Sequence, residues 1–99
     1  MRFVVLKPKE NILNLVRRIG YRPIGNKYEG ELNCVRPVQA GDYPRFHLYI
    51  KQGQNAFIFN LHLDQKKPSY GTVAAHSGEY EGLVIEAETH RIRKALDVL

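Results

Sequence analysis

Three histidines and one aspartate between positions 47 and 76 are the residues whose types and spacing could do chemistry. His47 lies in one strongly alternating segment, and His62 and Asp64 lie two positions apart in the next. His76 follows after an irregular stretch. An imidazole that titrates near neutral pH and is oriented by a carboxylate can accept and return a proton. We therefore take His47, His62 and His76 as candidate catalytic residues.

The same side chains could instead hold a metal ion. His47, His62 and Asp64 are the candidate ligands, and His76 or Glu79 could complete the coordination shell. Imidazole and carboxylate together suit zinc, manganese or iron. Alternation makes a His-x-Asp pair common on strands, however, so a solvated sheet face explains the same pattern without a ligand. The expectation for cofactors is therefore none or a divalent metal.

Aromatic and basic side chains surround these histidines, which favours a third role, recognition without catalysis. Surfaces of this kind stack bases on rings and follow phosphates with cations. A lysine among them could also steady a phosphate while a bond is cleaved. The candidate ligand-binding residues are Arg45, Tyr49, Lys66, Lys67, Tyr70 and Glu79.

The stretch 62–80 holds many of these residues but has no clear period of its own. It follows a strong strand pattern and precedes a strong helix pattern. A long irregular connection in a small domain is usually functional or disordered. We interpret it as a functional loop.

Two alternating segments predict the hairpin that positions the histidines. Residues 46–51 place Phe46, Leu48 and Ile50 on one side, and residues 56–64 alternate in the same way. Gly53 lies in the turn between them.

The register of this hairpin follows from its turn. Positions whose numbers sum to about 107–109 should face each other, and facing side chains lie within about 5 Å at Cβ. This places His47 near Asn60 or His62, and Arg45 near Asp64.

The remaining patterns predict two helices and further strands. Apolar spacing indicates a helix from Pro8 to Gly20. Pro23 predicts an edge strand, because proline cannot donate to a ladder. A strand at 31–36 should bury Cys34 as a small hydrophobic residue.

A last helix is expected after Gly82. Its apolar stripe consists of Ile85, Thr89, Ile92, Leu96 and Leu99. Glu86 and Glu88 should open this helix, and Arg91, Arg93 and Lys94 should close it, in accord with the helix dipole.

These elements predict one domain, residues 1–99, of the α+β class. We expect an antiparallel sheet of three to five strands with both helices packed on one face. The order helix, three strands, helix is similar in outline to double-stranded-RNA-binding domains and to small toxin ribonucleases of the HicA type. HicA-like proteins carry a Gly-Ser-His signature on their second strand, whereas the matching region here, 30–33, has no histidine. The resemblance is one of topology and indicates no family.

Composition narrows the functional classes. Fifteen Lys and Arg against ten Asp and Glu give a net charge of +5, which favours polyanionic partners, although many small proteins are basic for solubility alone. The single cysteine excludes an internal disulfide and fits a reducing, cytoplasmic setting. The apolar run near the N-terminus is too short to span a membrane.

We expect a nucleic-acid-binding domain, with RNA as the preferred ligand, that is a monomer or homodimer. A metal-dependent or histidine-based phosphodiesterase or ribonuclease is the alternative.

Overall fold

The residues that the structure describes fold as an antiparallel sheet with two helices. A computed structural model describes residues 1–6, 10–25, 30–65 and 77–96, and the side chains of the last range from residue 82 onward. In chain order the elements are β1 (Arg2–Leu6), α1 (Ile12–Arg18), β2 (Arg22–Pro23), β3 (Glu31–Pro37), β4 (Arg45–Gln52), β5 (Ala56–Asp64) and α2 (Ser77–Ala95). The predicted α+β class is confirmed.

The five strands lie in the order β1-β5-β4-β3-β2, and every neighbouring pair is antiparallel. The N-terminal strand β1 therefore forms one edge and β2 the other. The edge position predicted for Pro23 is confirmed. Its missing N–H is tolerated there, because an edge strand has one side without ladder hydrogen bonds.

The central hairpin has the predicted turn and register. The amide of Gly53 donates to the carbonyl of Ala56 at 2.8 Å, which closes the turn between β4 and β5. His47 then faces His62, and Arg45 faces Asp64. A shift by one residue would move every side chain to the other face, so this register decides which residues can share a site.

One hydrophobic cluster contains inward apolar residues of the strands and the buried apolar residues of both helices. Leu48 and Phe59 of the sheet belong to it, together with Leu15 of α1 and Ile92 of α2, and all four are fully buried. Cys34 belongs to the same cluster and is also fully buried, as predicted.

The helix α1 begins later than the sequence predicts. Its N-cap is Asn11, whose side chain accepts a hydrogen bond from the amide of Asn14 at 2.9 Å. This capping bond fixes the start at Ile12, because it satisfies an amide that has no partner within the helix. Gly20 has φ +91° and follows the helix, as expected of a glycine that stops one.

The helix α2 begins earlier than predicted. It starts at Ser77 and runs through Gly82, because an isolated glycine inside a helix costs only about 1 kcal/mol. Glu79 therefore lies in a helix and not in a loop, which corrects the expected extent of the irregular stretch. Neither helix, within the part of the chain that the structure describes, is long and apolar enough to cross a membrane.

Candidate functional site

The candidate site lies on the face of the sheet opposite the hydrophobic cluster, which we call the open face. Strand alternation turns Arg45, His47 and Tyr49 of β4 toward it, and the register places His62 and Asp64 of β5 beside them. We call these five residues, together with Asn33 of β3, the open-face cluster. The structure thus brings together five of the residues singled out from the sequence.

His47 is the centre of the hydrogen bonds in this cluster. Its Nδ1 lies 3.0 Å from Oδ2 of Asp64, and its Nε2 lies 3.0 Å from Oδ1 of Asn33. The His47 side chain is 13% exposed, and Val35 beside it on β3 is 1% exposed. Both ring nitrogens are engaged across three strands, so the imidazole has a fixed orientation.

Asp64 also holds the arginine opposite it. Nε of Arg45 donates to Oδ2 of Asp64 at 3.3 Å, and the guanidinium lies 4.8 Å from the ring centre of Tyr43. The Arg45 and Asp64 side chains are 21% and 31% exposed, so water screens this pair. Asp64 therefore orients both the guanidinium of Arg45 and the imidazole of His47.

Tyr49 lies between the two histidines. Its ring stacks on His47 with centroids 4.2 Å apart and planes 20° apart. His62 meets the same ring edge-on, with centroids 5.6 Å apart and planes at 83°. His62 is exposed and Tyr49 is half-buried. The result is a row of three rings that reaches solvent at His62.

The cations of the open face lie around this row. Arg2 of β1 faces Asn60, which in turn faces Tyr49, so Arg2 and Tyr49 share one line across the sheet. Lys51 follows Tyr49 by two positions on β4. Arg2 and Lys51 are both exposed, and Lys51 faces Glu31 of β3 in the register of the sheet.

A metal role for His47, His62 and Asp64 stays a prediction. The described residues contain no group of three or more His, Cys, Asp or Glu side chains placed to hold a metal ion. Four further candidates, Lys66, Lys67, Tyr70 and His76, lie outside the described residues, as does the side chain of Glu79.

A second polar cluster, which joins residues of β3 and α2, was not predicted. Glu88 of α2 is 4% exposed and accepts a hydrogen bond from the Tyr21 hydroxyl at 2.6 Å. Arg91 donates to its two oxygens at 2.8 and 2.9 Å, and Arg36 of β3 donates at 3.3 Å. Arg91 also donates to the carbonyl of Ile19 at the end of α1. We call Tyr21, Arg36, Glu88 and Arg91 the buried cluster.

The buried cluster has a structural role that its pKa shifts reflect. Burial, and then the charge and hydrogen bond of Glu88, raise the pKa of Tyr21 well above its usual range. The hydrogen bond to Glu88 raises the pKa of Arg91 further. The cluster joins both helices to β3 through one carboxylate. Glu88 lies three positions after Ile85 and four before Ile92, so its place on the apolar stripe was the signal of a buried charge.

Cys34 does not resemble a nucleophile. Burial raises the pKa of its thiol to about 12, and the thiol lies 3.5 Å from the carbonyl of Leu48. A thiol that stays protonated near neutral pH is a weak nucleophile.

Comparisons of the chain with protein-family models, with curated proteins and with solved structures find no match. The case for function therefore depends on the geometry described above.

Proposed function

We propose that this chain binds nucleic acid, with RNA as the preferred class, through the open face and the segment that follows β5. The observation that carries this proposal is the row of rings formed by His47, Tyr49 and His62, with the exposed cations Arg2 and Lys51 on the same face. Rings of this kind stack on unpaired bases, and cations contact the phosphates between them. Single-stranded RNA offers both groups together.

The placement of charge supports this function. Arg2 lies two strands away from Tyr49 across the sheet, Lys51 lies two positions after Tyr49 on β4, and both are exposed. Asp64 is partly neutralised by Arg45, so it opposes a polyanion less than a free carboxylate would. We assign Lys66, Lys67 and Tyr70 to the same surface on their sequence position alone.

Two further features belong to this proposal. Both helices should cover one face of the sheet, because only then can the other face meet a ligand. The shared hydrophobic cluster of α1, α2 and the inward strand residues supports that arrangement. We also place this function in the cytoplasm, for which the single cysteine is the support.

Fluorescence anisotropy with labelled single-stranded RNA, and with DNA of the same sequence, tests this function. Tyr49→Ala should weaken RNA binding about tenfold or more, because a stacked base contributes about 1–3 kcal/mol. His90→Ala is the matched control, since it removes an exposed ring on α2, away from the open face. Equal affinity of the wild type and Tyr49→Ala would contradict the proposal.

Salt dependence gives an independent test of the phosphate contacts. Lys51→Ala should lower the slope of log affinity against log salt by about 1, because each phosphate contact releases about one counterion. An affinity that does not change with salt would exclude the cations from the interface.

The hydrogen bond between His47 and Asp64 favours a second candidate, cleavage of RNA phosphodiesters. The carboxylate orients one imidazole, and the register places the exposed His62 beside it. Incubation of end-labelled RNA with and without a chelator separates a metal-dependent reaction from one that uses histidine alone. Intact RNA under both conditions would eliminate this candidate, whereas cleavage that His62→Ala abolishes would establish it.

A further inference from the structure

The two edges of the sheet differ in how they are protected from another strand. The β2 edge is two residues long and contains Pro23. The β1 edge is five residues long and has no proline, and its one charged residue is Arg2. Long apolar edges without such protection are the ones that pair with other strands.

The hydrogen bonds of the ladder show which groups of β1 are free. The N-terminal amine of Met1 donates to the carbonyl of Leu61 at 2.9 Å, and the amide of Leu61 donates back at 2.8 Å. Because bonded and non-bonded pairs alternate in antiparallel strands, Arg2, Val4 and Leu6 direct their amides and carbonyls away from β5. No partner for these groups is found among the residues that the structure describes.

The side chains of these outward residues are also exposed. Val4 is 54% exposed and Leu6 is 75% exposed, and both lie on the open face with the half-buried Ile58 of β5. An unpaired ladder edge and an apolar strip therefore coincide at β1.

We propose that β1 pairs antiparallel with β1 of a second copy of this chain, about a two-fold axis at Val4. Val4 then faces Val4 of the other copy, and Arg2 faces Leu6. These are the outward residues, so the three facing pairs form about six backbone hydrogen bonds. A two-fold axis makes the interface self-complementary, and the two sheets become one continuous sheet.

The charges of this edge favour a second copy over another partner. With Arg2 opposite Leu6, the two Arg2 side chains lie four residues apart along the strands, about 13 Å. Salt screens charges at that separation, because the Debye length is about 8 Å at physiological ionic strength. The apolar strip of each copy meets the same strip of the other, whereas an acidic partner would find one cation on β1.

The helix side leaves room for this arrangement. The helix α2 packs against β5, and its Arg93 lies 5.1 Å from the ring centre of Phe3 on β1. In the dimer, β5 and its copy are separated by three strand spacings, about 14 Å. Packed helices need about 8–10 Å between axes, so the two α2 helices fit side by side.

Sedimentation or light scattering across a wide concentration range, with no tag ahead of β1 and no nucleic acid, tests the dimer. The wild type should form dimers. Val4→Pro should shift the chain to monomer at the same concentrations, because it removes an amide that the monomer does not use. Circular dichroism checks that the variant is folded. A monomeric wild type, or a folded Val4→Pro that still dimerises, would overturn the proposal.

A second pair of variants does not depend on proline. Leu6→Lys places two new charges at the interface and should weaken dimerisation at least tenfold. Leu83→Lys is the matched control, because Leu83 is 68% exposed on α2 and should leave the dimer unchanged. Equal effects of the two lysines would also overturn the proposal. RNA is absent from these measurements, so their outcome is separate from that of the binding test.

Discussion

The open-face cluster and the buried cluster are built from similar parts and differ in their access to water. Each contains a carboxylate that contacts an arginine and a ring-bearing side chain. The side chain of Glu88 is 3% exposed, whereas that of Asp64 is 31% exposed. Glu88 is held by Tyr21, Arg36 and Arg91, while Asp64 contacts Arg45 and His47.

The difference in exposure between Glu88 and Asp64 predicts that the two carboxylates contribute differently to the stability of the fold. A buried carboxylate loses most of its hydration, so its hydrogen bonds have to replace that loss and their removal is costly. A half-exposed carboxylate keeps part of its hydration, so its ion pairs contribute little to folding. The buried cluster is therefore expected to stabilise the fold more than the open-face cluster, which is the one that we propose as a ligand-binding surface.

The largest expected effect comes from the buried cluster. Glu88→Ala should lower the free energy of unfolding by about 2–4 kcal/mol, because it leaves two arginines and a tyrosine without their shared acceptor. Urea denaturation measures the change. Glu86→Ala is the matched control, since Glu86 is exposed two positions earlier on α2 and should change stability by less than about 0.5 kcal/mol. Similar losses of unfolding free energy in the two variants would show that the hydrogen bonds of Glu88 do not stabilise the fold.

A pH dependence specific to Tyr21 is the second expected effect. Its folded pKa lies above the unfolded value near 10, so the folded chain retains a proton that the unfolded chain releases. The stabilisation that the protonated Tyr21 hydroxyl provides is complete below about pH 10, and it is lost progressively as the pH rises above that value. Tyr21→Phe should cost about 1 kcal/mol at neutral pH, and its deficit relative to the wild type should shrink above pH 10.

Denaturation of both proteins at several pH values from neutral to alkaline measures that deficit. The other tyrosines are present in both proteins, so their titration cancels in the comparison. A deficit that stays constant through pH 11 would mean that burial and Glu88 do not raise the pKa of Tyr21 in the folded chain.

Alternation and turn chemistry were enough to predict the central hairpin. Strict alternation in 46–51 and 56–64 sets which side chains share a face, and the turn at Gly53 sets their register. The facing pairs His47–His62 and Arg45–Asp64 follow from those two facts. Local pattern therefore predicted the arrangement of the open-face cluster on β4 and β5.

The neighbours of the hairpin could not be predicted in the same way. The pairing of β1 with β5 brings together the first and the last strand in chain order, and no local pattern specifies such a long-range choice. Asn33 became the partner of His47 only through the register of β3. Glu88 was read as a helix-opening residue because the start of α2 was placed too late. Contacts between distant parts of the chain determine these three features, and a local sequence pattern does not specify such contacts.

The smallest expected effect comes from the carboxylate of the open-face cluster. Asp64→Ala should change the free energy of unfolding by less than about 1 kcal/mol, because its pairs with Arg45 and His47 are partly exposed and screened by water. Urea denaturation under the conditions used for Glu88→Ala gives the direct comparison. Arg45→Ala should have a similarly small effect, since it breaks the same pair from the other side. If Asp64→Ala were as destabilising as Glu88→Ala, the open-face cluster would be part of the structural framework, and the division between a stabilising side and a binding side of the sheet would be wrong.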